Sequence, residues 1–137
     1  MYCVIYDGDC NLCTTLVQWL ERLDQGKQFR YASMQDAEIL GEFNVTATDC
    51  ELGMLLIDET DPTERWQGSD AAEEIGARLP AGVLFVTAYR SLPGIKRMGD
   101  RLYVFVRDNR YKLFGRRPST YASKYRVCKS DRCDQYF

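Results

Sequence analysis

The chain opens with a short apolar run, Tyr2 to Tyr6, that stops at Asp7-Gly8-Asp9, the pattern of a buried strand ending in a turn. From Cys10 or Asn11 the apolar positions change period. Leu12, Leu16, Leu20 and Leu23, with Val17 beside them, recur at helical spacing, and Asp9 stands ahead of them as a residue suited to cap the helix. Gln25-Gly26-Lys27 ends that helix. Phe29-Arg30-Tyr31-Ala32 reads as a second strand feeding a short helix at Asp36 to Phe43, and a strand-helix-strand crossover implies that strands one and two are parallel.

Leu52 to Asp58 is another apolar run. A turn from Glu59 to Thr63 separates it from Arg65-Trp66-Gln67, so the two pieces predict a hairpin. Gly68-Ser69-Asp70 opens a further helix in which Asp70 and Glu73 form a capping pair and Pro80 closes the segment. Val83 to Tyr89 and Arg101 to Phe114 show helical periodicity around the Pro93-Gly94 break, with Leu102, Val106, Arg110 and Leu113 on one face. The last segment, Pro118 to Phe137, is rich in tyrosine and polar residues and has no period. The element order predicts an α/β chain with a mixed sheet of about four strands, helices around it and a C-terminal helical extension.

The 137 residues fit one domain, with residues 1–80 as the core, 81–117 as the helical extension and 118–137 as an irregular basic tail. No apolar run approaches the roughly 20 residues of a membrane span, and the first residues have neither a basic start nor a long greasy stretch. The expected setting is the cytoplasm, without a membrane partner. Charge is unevenly spread: residues 1–89 hold 5 Lys/Arg against 16 Asp/Glu, and residues 90–137 hold 13 against 4. The two portions should therefore attract each other within one fold. A basic patch interleaved with tyrosine, at Arg116-Arg117 and Tyr121 to Arg126, is set aside as a nucleic-acid site because the whole chain is acidic and no nucleic-acid motif accompanies the patch.

Histidine is absent, which excludes Ser-His-Asp and Cys-His hydrolases and mixed Cys/His zinc sites. Six cysteines remain: Cys3, Cys10, Cys13, Cys50, Cys128 and Cys133. Cys10-Asn11-Leu12-Cys13 is the strongest local signal. At a helix start both sulfurs lie near unpaired N–H groups and the positive end of the dipole, where thiolate is favoured. A C-x-x-C beside a βαβ pattern reads as a redox dithiol. In this geometry Cys10 is the exposed nucleophile and Cys13, one turn deeper, is the resolving thiol. Cys3 and Cys50 read as small buried hydrophobes. The alternative is a binding module without catalysis, with zinc or iron on Cys10, Cys13, Cys128 and Cys133; the C-x4-C spacing of the second pair and its distance from the first weaken it. No cofactor and no metal are expected for the redox reading. Asp7-Gly8-Asp9 after a strand also suggests a haloacid-dehalogenase-like phosphatase, but Asn11 stands where that family places Thr or Val.

Tyr6-Asp7-Gly8-Asp9-Cys10-Asn11-Leu12-Cys13 resembles the Y-D-G-x-C-x-L-C signature of the DCC family of predicted thiol-disulfide oxidoreductases at every fixed position. Gly68-Ser69-Asp70-Ala71 and Tyr103 to Gly115 resemble later segments of the same family, so the likeness spans about residues 2–115. It implies a thioredoxin-like fold, a dithiol on Cys10 and Cys13, and a disulfide-containing substrate and redox partner of unstated identity. Thioredoxins place a cis-proline before the third strand, facing the dithiol. Here no proline precedes Leu52 to Ile57. Near the dithiol, Asp7 and Asp9 should raise the thiol pKa, whereas Arg107 or Arg110, returning on the late basic helix, should lower it. That helix is expected to dock its Leu102, Val106 and Leu113 face on the acidic portion.

Overall fold

The protein is described here from a computed structural model covering residues 2–51, 53–61, 63–79, 82–123 and 125. A central strand, β1 (Tyr2–Tyr6), pairs in parallel with β2 (Phe29–Ser33) on one side and antiparallel with β3 (Leu55–Asp58) on the other, and β4 (Arg65–Gln67) completes the sheet in the order β2-β1-β3-β4. Strand alternation divides the core between the two faces of the sheet. Cys3 and Ile5 pack with Ala32, Leu55 and Ile57 and with residues of two short helices, α2 (Ala37–Glu42) and α3 (Ala47–Glu51). Val4 and Tyr6 pack on the opposite side with Phe29, Tyr31 and Leu56, under α1 (Asn11–Asp24) and α4 (Ser69–Arg78). Two more helices follow, α5 (Gly82–Ser91) and α6 (Ile95–Phe114). This is the thioredoxin-like α/β arrangement with its helical extension, and the parallel first pair and the β3-β4 hairpin match the sequence expectation.

Several local expectations are corrected. The leucine stripe of α1 is not its buried face: Thr14, Val17, Glu21 and Asp24 are buried, while Leu16 and Leu23 are 43% and 63% exposed. The two buried carboxylates have partners, as burial requires. Asp24 accepts the N–H groups of Gln28 and Phe29 at 3.0 Å, and Glu21 accepts from the Tyr121 hydroxyl and from Ser123. Cys10, not Asp9, caps α1. The approach to β3 holds a helix that the pattern did not reveal, so Cys50 is on α3 and the strand starts at Leu55. At α4, Gly68 is the cap position and has no side-chain bond, while Asp70 and Glu73 both bind Lys96 Nζ at 2.7 Å.

The late helices make ion pairs with the first portion of the chain. Neither α5 nor α6 has a buried residue, and Leu102 and Leu113 are exposed, contrary to the expected apolar seam. The outer surface of α6 also carries exposed Val104, Phe105 and Phe114, so it is not simply basic. Attraction between the two charged portions is realised in named pairs: Arg90 with Glu73 and Glu74, Lys96 with Asp70 and Glu73, and Arg110 with Asp7. Beyond α6 the chain folds back as a strap over the start of α1, and Tyr31 of the edge strand donates its N–H to Tyr125 O at 3.0 Å. Cys128 and Cys133 lie outside the described residues, as do Pro62 and Pro80. No helix among the described residues is long and apolar enough to cross a membrane.

Candidate active site

The site grows from the turn that links β1 to α1. Asp7 leaves the sheet with its carboxylate buried, and that carboxylate organises the turn. Its Oδ1 accepts the Asp9 N–H at 3.0 Å and the Gln35 side-chain amide at 2.9 Å. Its Oδ2 accepts the Tyr111 hydroxyl and pairs with Arg110 at 3.2 Å. Burial alone would raise the Asp7 pKa, yet these hydrogen bonds and the Arg110 charge hold it below the ordinary carboxylate value. Gly8 N–H is taken by Gln35 Oε1 at 3.1 Å. Glycine is required here by proximity: a Cβ would lie 2.6 Å from Thr120 Cγ2 and 3.1 Å from Tyr121 O.

Cys10 ends the turn in an extended conformation, and its Sγ accepts the Cys13 N–H at 3.3 Å, in the manner of an N-cap side chain. Its thiol is lowered from 9.0 to about 7. The hydrogen bond from the Cys13 side chain is the largest cause; burial opposes it, the Cys13 N–H assists, Asp7 opposes and Arg110 assists. Cys13 moves the other way. Donating to Cys10, losing water and facing the charge on Cys10 hold it strongly protonated. Two thiols so coupled lose their first proton as a pair, with the charge resting on Cys10.

The expectation that Cys10 is the exposed sulfur is overturned. Cys10 has no exposed surface, whereas Cys13 is half-buried. The cover is the strap that leaves α6. Gly115 O accepts the Asn11 N–H at 3.3 Å, Phe114 O accepts the Asn11 side-chain amide at 2.7 Å, and Arg117 donates its N–H to Asp9 O at 2.8 Å. Between them Arg116 forms an isolated antiparallel bridge with Cys10. Farther on, Tyr121 donates its N–H to Gly8 O at 2.9 Å and its own carbonyl accepts the Tyr6 hydroxyl at 2.8 Å.

On its other side the dithiol meets a cavity of about 350 Å³. Cys13 lines it together with Leu12, Met54, Tyr103 and Val106, and Asp7, Arg107 and Arg110 supply its charged groups. Cys50 lines it too, with burial as the first cause of a pKa pushed up to about 11, so it remains a neutral thiol at physiological pH. Cys3 is likewise pushed upward by burial and takes no part in the site. Where a cis-proline was missed in the sequence, the backbone has no cis peptide among the described residues. Gly53 stands there with φ +136°, and the following N–H, of Met54, donates to the Tyr103 hydroxyl at 3.0 Å.

The predicted site residues thus separate. Asp7, Cys10, Cys13 and Arg110 come together. Arg107 lines the cavity but pairs with Asp108 at 3.0 Å. Asp9 turns its carboxylate toward Thr120 and Gln35. Sequence reasoning missed Gln35, Tyr103, Tyr111 and Thr120. Tyr111 closes the Arg107-Asp108-Asn109-Arg110-Tyr111 segment, which was visible as part of a motif; Gln35 has no signal of its own, since its role arises from the loop after β2 meeting the turn after β1. Among the described residues no three His, Cys, Asp or Glu side chains are grouped to hold a metal ion, and the metal-binding alternative needs Cys128 and Cys133, which lie outside them.

A family model described as DCC1-like thiol-disulfide oxidoreductase matches residues 4–116 of the chain. No curated protein and no solved structure matches it.

Proposed function

The chain belongs to the DCC1-like thiol-disulfide oxidoreductase family, and on that footing we propose that it is an enzyme exchanging disulfides through Cys10 and Cys13. The Cys10 thiolate attacks one sulfur of a substrate disulfide, forming a mixed disulfide and expelling one substrate thiolate. Cys13, having given its proton to solvent, then attacks Cys10 Sγ. The second substrate thiolate leaves, and the pair is left as a Cys10-Cys13 disulfide. Two electrons pass from the dithiol to the substrate, and a separate redox partner resets the pair.

The observation that carries this reading is the bond from the Cys13 N–H to Cys10 Sγ at 3.3 Å, at the head of a helix, together with the thiol lowered to about 7. At neutral pH roughly half of such a thiol is the attacking form. Asp7 and Arg110 act as positioning and charge-balancing groups in this proposal; Asp9 and Arg107 assist from farther out. Attack also requires that residues 115–117 lift from Cys10, a local opening set against a few backbone hydrogen bonds. We place the chemistry in the cytoplasm, in a chain that works as a single domain, because a dithiol that must be reduced before it can attack needs a reducing supply.

The test is a trapping experiment with purified full-length protein and a disulfide substrate. Cys10→Ser abolishes turnover, and Cys13→Ser accumulates a mixed disulfide on Cys10 that mass spectrometry identifies. Turnover by Cys10→Ser, with nothing captured by Cys13→Ser, would show that the roles are wrongly assigned.

A further inference from the structure

We infer that the face formed by α1 and α6 seats on the surface of a bilayer rich in anionic lipid. Such a seat decides where the chain works and is independent of the thiol exchange proposed above.

Among the described residues every exposed large apolar side chain is on α1, α5, α6 or the α5–α6 link; the sheet, α2, α3 and α4 expose none. Two of these helices carry them as stripes. Leu16, Trp19 and Leu23 follow helical spacing along α1, as Met98, Leu102 and Phe105 do along α6. The stripes adjoin, because α1 and α6 are in contact and Leu16 and Leu102 line the same cavity. These six residues are 43% to 66% exposed. Together they present on the order of 700 Å², above the few hundred that a soluble monomer usually leaves in one apolar patch. On α1 the stripe points outward because Thr14, Val17, Glu21 and Asp24 hold the inner face.

The charge beside the stripes has one sign. Arg97, Arg101 and Lys112 stand on the neighbouring stripe of α6, and Arg22 beside the stripe of α1; all four are exposed and form no ion pair among the described residues. Asp108 is the one exposed carboxylate on α1, α5 or α6, and Arg107 already holds it at 3.0 Å.

This charge selects the occupant. A second copy meeting the face about a two-fold axis would set the same cations against each other. Residues 126–137 bring three Lys/Arg against two Asp, so the tail is no counterion for it. Protein partners anchor in pockets, whereas Trp19, Leu23, Met98 and Phe105 lie outside the cavity and project from their helices. Projecting apolar side chains flanked by cations are what an interfacial helix presents: the apolar bodies enter the acyl boundary and Lys/Arg meet anionic headgroups. The cytoplasmic leaflet supplies such lipids. The expectation of no membrane partner rested on the absence of a spanning run. No described helix is long and apolar enough to cross a membrane, but lying on one requires an exposed stripe rather than a long apolar run.

For the test, full-length reduced protein is sedimented with vesicles of phosphatidylcholine alone or of phosphatidylcholine and phosphatidylserine in equal parts. The mixed vesicles bind it at least about tenfold more tightly than the neutral ones, and added salt erases the difference. Tryptophan fluorescence shifts to the blue on binding, and Trp19→Phe, which leaves only Trp66, loses the shift. Arg97→Gln with Arg101→Gln weakens binding roughly thirtyfold, while Arg97→Lys with Arg101→Lys retains it. Met98→Ser with Phe105→Ser, both exposed and outside the cavity, weakens it at least about tenfold with a circular dichroism spectrum like that of the wild type. Equal binding to both vesicles, no binding to the mixed vesicles at millimolar lipid, or binding that the glutamine or the serine variant leaves intact would overturn the inference. So would a dimer in sedimentation velocity that Met98→Ser with Phe105→Ser dissociates, since a second copy would then cover the face.

Discussion

Cys10 and Cys13 stand three residues apart on one helical turn, yet they face unlike halves of the molecule. On the Cys10 side lie the Gln35 amide, Asp9 with Thr120, and a strap whose backbone closes on the α1 start, and the buried Asp7 carboxylate stands between the two halves, lining the cavity as well. On the Cys13 side lies an apolar cavity. The polar half fixes geometry and spreads charge; the apolar half removes water. The consequence is a pair of thiols with opposite tendencies, one lowered to about 7 and the other held protonated. The lesson is that a C-x-x-C motif sets where the sulfurs are, while the elements returning from more than 90 residues away decide which one is ionised and which one meets solvent.

Cutting either half should break the contrast. The largest effect is expected at Cys10 itself: Cys10→Ser takes turnover to background, measured with any disulfide the wild type reduces. Asp7→Ala comes next. It leaves Arg110, Tyr111 and Gln35 without their common acceptor, and urea unfolding should show a loss of about 2–4 kcal/mol. At the third rank, Arg110→Gln removes a charge that favours the Cys10 thiolate. It should raise the Cys10 pKa and slow alkylation at pH 7 by a few-fold, roughly the effect of half a pKa unit. Arg107→Gln should change alkylation less, because Arg107 pairs with Asp108 rather than with Asp7.

The strap gives the smallest and most selective effect. Asn11→Ala removes the 2.7 Å bond to Phe114 O, worth about 1 kcal/mol. It should speed Cys10 alkylation by up to several-fold without moving its pH midpoint, since it loosens the cover and leaves the charges in place. A shifted midpoint in this variant would mean that the strap sets the pKa and is not merely a lid.

Much of the polar half was hidden from sequence reasoning for a physical reason. The strand, the Asp7-Gly8 turn and the dithiol are local, and the apolar run followed by a helical period displays them directly. The leucines of α1 have true helical spacing, but spacing does not say which way a helix faces. Glu21 and Asp24 took the inner face because their acceptor oxygens are matched by Tyr121, Ser123, Gln28 and Phe29, and a charge whose partner is 100 residues away reads as solvated. The short α3 escaped notice because five residues hold too little of a helical period to be seen. Arg110 was legible as a candidate from the late basic helix; that it, and not Arg107, reaches Asp7 depends on the rotation of α6, which no pattern specifies.

Linkage to stability follows from the same pair of thiols. The lowered Cys10 pKa contributes stability to the reduced protein that is fully present above the ordinary value of 9.0 and is lost as the pH falls through about 7. Thermal unfolding of reduced wild type, compared with Cys10→Ser, should therefore show a relative gain between pH 7 and 9. Cys13, with its pKa raised, acts in the opposite sense and only at higher pH.

The most direct test of unlike sulfurs is the pH dependence of iodoacetamide labelling, read for each cysteine by peptide mass spectrometry on the intact reduced protein. The account predicts that labelling at Cys10 rises with a midpoint near pH 7, slowed in absolute rate by the strap, and that Cys13 stays unmodified through that range although it has more exposed surface. Labelling at Cys13 first, or a Cys10 midpoint near the ordinary 9.0, would contradict it.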